Sequence, residues 1–324
     1  MKVSHDFLGD VLDEGGIEKS TEATVKSRYG RTIATILEIS AFLHDFRIDS
    51  LGGVKSGLMI YEMAILPSLL HNSSTWFNIN NKTIKSLENL QTKMFSVLFA
   101  SPDSAPRPLL CFDLGSLSIL ERIHEKKLNF LFFLTTLTEE NLSANIYKLQ
   151  VKYNFPGLAT EARELINLYK LPNIIDDTSL KFTKKKWKIL VNNAIRKRSE
   201  ENLKHQFLKY SKLKAEEFQN EDFCMKKYVN EMSLRDARTN FRLRSSTLPL
   251  KMNMKSDPGF AEVLWRCDSC FSAGSSLCPE TNTHVLWCPT YAPFREGLSL
   301  NNDNDIVKYF QKVLEFKTNL EKQN

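Results

Sequence analysis

The chain has 324 residues, 42% hydrophobic and 25% charged, with only 12 glycines and 11 prolines. That composition excludes collagen-like, mucin-like and wholly disordered proteins and supplies apolar material for one to three compact domains. The formal net charge of +6 is modest, and no apolar run approaches the roughly 18 residues needed to cross a bilayer.

The first residues carry Asp6, Asp10, Asp13 and Glu14 and lack the cationic-then-apolar pattern of a secretory signal. A cytoplasmic or nuclear location is therefore expected, with reduced thiols and with unused sequons at Asn72, Asn81 and Asn141. Helical periodicity dominates most of the remaining length. Apolar stripes predict helices over 21–45, from about 54 to 66, and over 81–99, with Pro67 interrupting the second. Three prolines within 102–108 predict a stiff connecting loop, and a long apolar helix comes after Gly115 through Ile119, Ile123, Leu128, Leu131 and Leu134. From 139 to about 177 the pattern weakens around Pro156, Gly157 and Pro172, which predicts a hinge or domain boundary.

Charge is unevenly spread. Between 181 and 214, twelve lysines and arginines face two glutamates, a surplus of ten, so the remainder of a +6 chain is acidic by four. Trp187, Leu190, Val191, Ala194 and Ile195 recur there at helical spacing, with Lys184, Lys185, Lys188, Arg196, Lys197 and Arg198 among the intervening positions. Such a stretch suits an anionic partner such as RNA or DNA, because closely spaced cations release counterions from phosphates. It equally suits a solvated helix face. A second cluster, Arg235, Arg238, Arg242 and Arg244, places its first three members on one side of a helix. Guanidinium forks grip phosphates or carboxylates, and intramolecular pairing with Asp236 and other acids is the alternative.

The most specific chemistry lies at Cys267 and Cys270, separated by two residues, with thirteen residues between Cys270 and His284 and three between His284 and Cys288. This spacing predicts a tetrahedral, structural Zn2+ site of three cysteines and one histidine. Cys278 is a spare that can replace His284 or remain free. Trp265, Phe271, Trp287 and Tyr291 flank the site, either to pack a small core or to stack on bases.

In this order, these features resemble the C-terminal part of the polyprotein of a non-long-terminal-repeat, LINE-type retrotransposon. Phe7-Leu-Gly-Asp10 with Gly15-Gly16 resembles the turn closing the palm of such reverse transcriptases, and residues 58–76 resemble the helix entering the thumb. Ile84 to Leu90, Pro102, Pro106 to Pro108, and Leu114-Gly115 leading to Arg122 and Lys127 continue the likeness. Ala237 to Arg244, the Cys-Cys-His-Cys group, Cys288-Pro-Thr-Tyr291 and Arg295 resemble its arginine helix and zinc knuckle. The family's metal-binding Tyr-x-Asp-Asp turn does not occur in the sequence, and reverse transcription needs those carboxylates.

The expected fold is mainly α: a thumb-like helical bundle, a basic helical connector and a small C-terminal Cys-Cys-His-Cys zinc knuckle. The resemblance divides it at 1–19, a palm remnant; 20–138, thumb-like; 139–230, the connector; 231–300, the arginine helix and knuckle; and 301–324, a C-terminal helix. The expected product is truncated and non-enzymatic. It binds template RNA or target DNA through the lysines and arginines named above, and takes no membrane or small-molecule partner. A zinc-stabilised protein-interaction module and an inert retroelement remnant are the alternatives.

Overall fold

The computed structural model describes residues 52–76, 79–138, 140–175, 181–210, 213, 215–250, 266, 267, 270 and 278–322. The helix expected over 21–45, the palm-like residues 1–19, Trp265 and Phe271 lie outside them. The protein is mainly helical. Among the described residues the sole β pairing is an isolated antiparallel bridge between Arg266 and Pro279, and no helix is long and apolar enough to cross a membrane.

Helix α1, Gly53–Ile60, passes into a π-helical turn at Tyr61–Ile65 and resumes as α2, Leu66–Leu69. The interruption at Pro67 is thus a change of winding ahead of the ring. Pro67 sits in the first turn of α2, where a missing N–H costs least, and the wider turn before it accommodates the ring. Helix α3, Asn81–Phe99, keeps to its periodicity and buries Ile84, Leu87, Leu90, Met94 and Leu98. The proline segment is only partly a loop, because Arg107–Leu114 forms helix α4 with Pro108 in its first turn.

Gly115 ends α4 in the left-handed region at φ +61°, its N–H directed to the Cys111 and Phe112 carbonyls. A Cβ there would lie 2.5 Å from the Met225 backbone N, so both the backbone angle and the close approach require glycine. Helix α5, Ile119–Thr135, begins at a reciprocal capping box of Ser118 and Glu121. The region expected to be a hinge is ordered as α6, Leu142–Tyr153, and α7, Leu158–Leu168. Their ends are set by local chemistry that hydrophobic periodicity does not register: Asn141 caps α6 through the Ser143 N–H, Asn154 ends it at φ 50°, and Gly157 turns the corner at φ 148°.

Helix α8, Lys184–Phe207, is the basic helix, and α9, Ala215–Gln219, α10, Lys227–Glu231, and α11, Leu234–Arg244, come after it. Helix α12, Asn282–Trp287, a 3-10 turn at Pro289–Arg295, and α13, Asp303–Glu321, complete the described chain.

These elements form two compact units. The described part of the first comprises Ile60–Met94 and Ser116–Leu203; that of the second comprises 52–59, Phe95–Gly115 and the residues from Lys204 onward. In the first, α5 packs against α6, α7 and the turn Ser73–Thr75. The basic helix contributes fully buried Trp187, Val191 and Ile195, and the Trp187 indole N–H donates to the Leu128 carbonyl at 3.1 Å. Three apolar side chains of this size, withdrawn from water, contribute of the order of 5 kcal/mol. In the second unit, α13 packs against α11 and the Pro289–Arg295 turn.

Candidate metal centre and cationic surfaces

The four candidate metal ligands are positioned by two short pieces of backbone. The Cys267 N–H bonds to the Cys278 carbonyl at 2.8 Å, beside the Arg266 to Pro279 bridge, so Cys278 supports the first cysteine pair through its main chain. Thr281 caps α12 by accepting the His284 N–H at 3.0 Å. This places His284 and Cys288 one helical turn apart on the same face. Arg295 donates to the Leu286 and Cys288 carbonyls, satisfying acceptors that the end of α12 would otherwise leave bare.

The Sγ atoms of Cys267, Cys270 and Cys288 and a ring nitrogen of His284 all lie within 4.8 Å of one another, so the group can hold a metal ion. Sγ of Cys288 is 3.8 Å from that of Cys267 and 3.6 Å from that of Cys270. Cys270 Sγ is 3.5 Å from Nε2 of His284. A tetrahedral ion with bonds of about 2.3 Å to sulfur and 2.0 Å to nitrogen requires edges of about 3.8 Å between sulfurs and 3.5 Å from sulfur to nitrogen. The donor set and these three edges fit. Burial, and after it the neighbouring Cys288 and Cys267 sulfurs, pushes the Cys270 thiol up to about 12. Three thiolates collected here need a compensating cation, and cation binding must release their protons.

The site shares one core with α13. Leu248, Leu250, Val285, Tyr291, Tyr309, Phe310 and Val313 are buried with the three cysteines. Buried Glu280 accepts from Lys317 Nζ at 2.6 Å and from the Tyr291 hydroxyl at 3.4 Å. The flanking aromatics divide: Tyr291 packs inward, whereas Trp287 is 68% exposed.

The sequence-predicted cations also divide. In α8, Lys184, Lys185, Lys188 and Lys197 are exposed, while Arg196 and Arg198 are half-buried and Arg198 donates to the Leu168 carbonyl at 3.1 Å. In α11, Arg235 is exposed and pairs with Glu315, but the other three arginines turn inward. Arg238 donates to the Leu98 and Val97 carbonyls, and Arg242 donates to that of Ala100, together capping the C-terminus of α3 where the helix dipole favours positive charge. Arg244 forks onto both oxygens of Asp113 at 3.0 Å and onto Glu221. Burial alone would lower the affinity of Arg244 for its proton, and Asp113 with Glu221 reverses this, holding it above its ordinary value.

Asp113 is fully buried and also accepts from the Tyr228 hydroxyl at 2.7 Å. Burial and then Asp113 hold Tyr228 well above the ordinary tyrosine range. Sequence reasoning missed Asp113, Glu221 and Tyr228. The available signal was a lone acid inside the apolar run Leu109-Leu-Cys-Phe-Asp-Leu114, because a buried carboxylate requires a partner somewhere. No family model matches this chain, and neither a curated protein nor a solved structure matches it.

Proposed function

We propose that the chain binds nucleic acid through the water-facing cations of α8, with zinc holding its C-terminal module, as the post-palm part of a LINE-type retrotransposon polyprotein would. One observation carries the reading: α8 commits a single stripe, Trp187, Val191 and Ile195, to the interior and leaves Lys184, Lys185, Lys188 and Lys197 in water. From Lys184 to Arg198 the helix holds no acidic residue, and its cations fall in two groups, Lys184 to Lys188 and Arg196 to Arg198. Zinc is supported by the three-sulfur, one-nitrogen donor set and by three edges of tetrahedral length. Polymerase chemistry is not part of the reading, since no Tyr-x-Asp-Asp occurs in the sequence.

The test is the affinity of the zinc-loaded full chain for a single-stranded RNA and a DNA duplex across a salt series. With about six phosphates neutralised, log affinity for the single strand falls against log salt with a slope of about −4. Replacing Lys184, Lys185, Lys186 and Lys188 by Gln reduces that slope by about 3. A flat salt response in a folded protein overturns the reading and favours a protein-interaction module.

A further inference from the structure

Four of the six cysteines fall within 267–288, and three of these four belong to the group that could hold a metal ion. The fourth, Cys278, packs against the same core. It is also the one of the four that water reaches, being half-buried where Cys267 and Cys288 are 1% exposed and Cys270 is 8% exposed. A closed tetrahedral site has no use for a further sulfur, whereas a thiol within reach of solvent is open to oxidation.

Local pairing fixes which candidate ligand Cys278 faces. Arg266 bridges Pro279 in antiparallel register, and Pro279 has no N–H to donate, so that pair is of the kind without mutual hydrogen bonds. At the adjoining position the Cys267 N–H bonds to the Cys278 carbonyl at 2.8 Å. Cys267 and Cys278 are therefore direct opposites, with their side chains on one face of the pairing. Facing residues in this register have Cα atoms about 5.5 Å apart, inside the range of about 4.4 to 6.8 Å that a disulfide spans. Cys267 is buried, so the shared face is the one turned to the core. Residues 268, 269 and 271–277, which with Cys270 join the two cysteines, lie outside the described residues.

Resting on the zinc reading above, we infer that Cys278 is the redox partner of Cys267: a small peroxide oxidises Cys278, Cys267 is drawn into a disulfide with it, and the metal is released. Peroxide transfers one oxygen to the Cys278 thiol, giving a sulfenic acid and water. The Cys267 thiolate then attacks the Cys278 sulfur; the S–S bond forms, the S–O bond breaks and hydroxide leaves. Each sulfur gives up one electron, and the two oxygens of the peroxide take the pair. Cys270, His284 and Cys288 remain, three ligands where a closed structural site has four. The competing disulfide joins Cys267 to Cys288, whose sulfurs are 3.8 Å apart, but both of these are shielded from the oxidant. Because Tyr309, Phe310 and Val313 share the core with the cysteines, metal release would reach α13, and a dithiol reverses the disulfide.

The test treats the zinc-loaded full chain with hydrogen peroxide, follows zinc release with a chromogenic chelator and maps disulfides by mass spectrometry of proteolytic peptides. The expected result is a Cys267–Cys278 disulfide that forms in step with zinc loss, and recovery of zinc binding after dithiothreitol. Cys278→Ser, shown to be folded by circular dichroism, keeps the zinc stoichiometry of the parent and releases the metal about tenfold more slowly under peroxide. Equal release rates in the two proteins overturn the inference. So does a disulfide confined to Cys267, Cys270 and Cys288, which the mapping detects in the parent without any variant. If folded Cys278→Ser takes up no zinc, Cys278 is itself a ligand, and the redox inference falls while metal binding stands. If the parent takes up no zinc, the zinc reading and this inference fall together.

Discussion

In α8 the lysines at 184, 185, 188 and 197 face water, whereas in α11 the arginines at 238, 242 and 244 reach back to carbonyls and carboxylates of the protein itself. Along the sequence the two clusters look alike, being dense, cationic and helical. The difference lies in the head group and in what surrounds it. A planar guanidinium is weakly hydrated and presents donors in a fork, so it tolerates partial burial over the end of α3 and against Asp113. An ammonium is strongly hydrated and stays at the surface while its stem packs. Cationic density therefore leaves a water-facing surface in α8, where lysines carry it, and builds internal contacts in α11, where arginines do.

Removing the metal should produce the largest asymmetry between the two clusters. The arginine helix shares its unit with the Cys-Cys-His-Cys core and is tied to α13 through Gln311, which donates to Asp236 at 2.7 Å. Structural zinc sites contribute of the order of 10 kcal/mol. Chelation, monitored by hydrogen exchange, should deprotect α12 and α13 and loosen α11, while the part of α8 within the first unit keeps its protection. Equal deprotection of α8 and α13 would contradict this.

Arg244→Ala comes next. It strands fully buried Asp113 with only the Tyr228 hydroxyl as partner, and breaking a buried pair from one side costs about 3–5 kcal/mol. The fourfold Lys→Gln variant of α8 should cost under about 0.5 kcal/mol, because its targets are exposed. Thermal unfolding of the two proteins measures the contrast directly, and similar costs would abolish the distinction drawn above.

A further predicted effect concerns acid. His124, in the unit that buries Trp187, faces the Tyr169 hydroxyl at 2.8 Å. Burial, and then the charge of Lys127, lower it from 6.5 to about 4. The folded state thus keeps this ring neutral over a range in which the unfolded chain protonates it. Its contribution is complete above about pH 6.5 and is lost as the pH falls toward 4, at up to about 1.4 kcal/mol per pH unit. Replacing His124 with Gln should flatten that part of the stability profile; an unchanged slope would remove the assignment.

The Cys-Cys-His-Cys group that could hold a metal ion was legible in the sequence because its spacing is a local property: two residues between Cys267 and Cys270, and one helical turn from His284 to Cys288. The limits of α3 and α5 were legible for the same reason, through periodicity. Helices α6 and α7 were not, since their ends depend on Asn141, Asn154 and Gly157 rather than on an apolar stripe. The fate of the arginines was also hidden. Arg244 finds Asp113 across 131 positions, and Arg238 and Arg242 find main-chain carbonyls that no side-chain pattern announces.

Gly115 brings several of these threads to one residue. The Lys226 N–H reaches the Asp113 carbonyl at 2.9 Å, two residues before a glycine whose missing side chain leaves space for Cys224 and Met225. That approach delivers the segment carrying Tyr228 to the buried carboxylate. In a saturation-mutagenesis survey, position 115 should therefore behave as a single-letter position. Alanine, the mildest replacement, would already be depleted, while exposed Gly297, whose surroundings hold no atom within 4 Å of an added Cβ, would accept Asn.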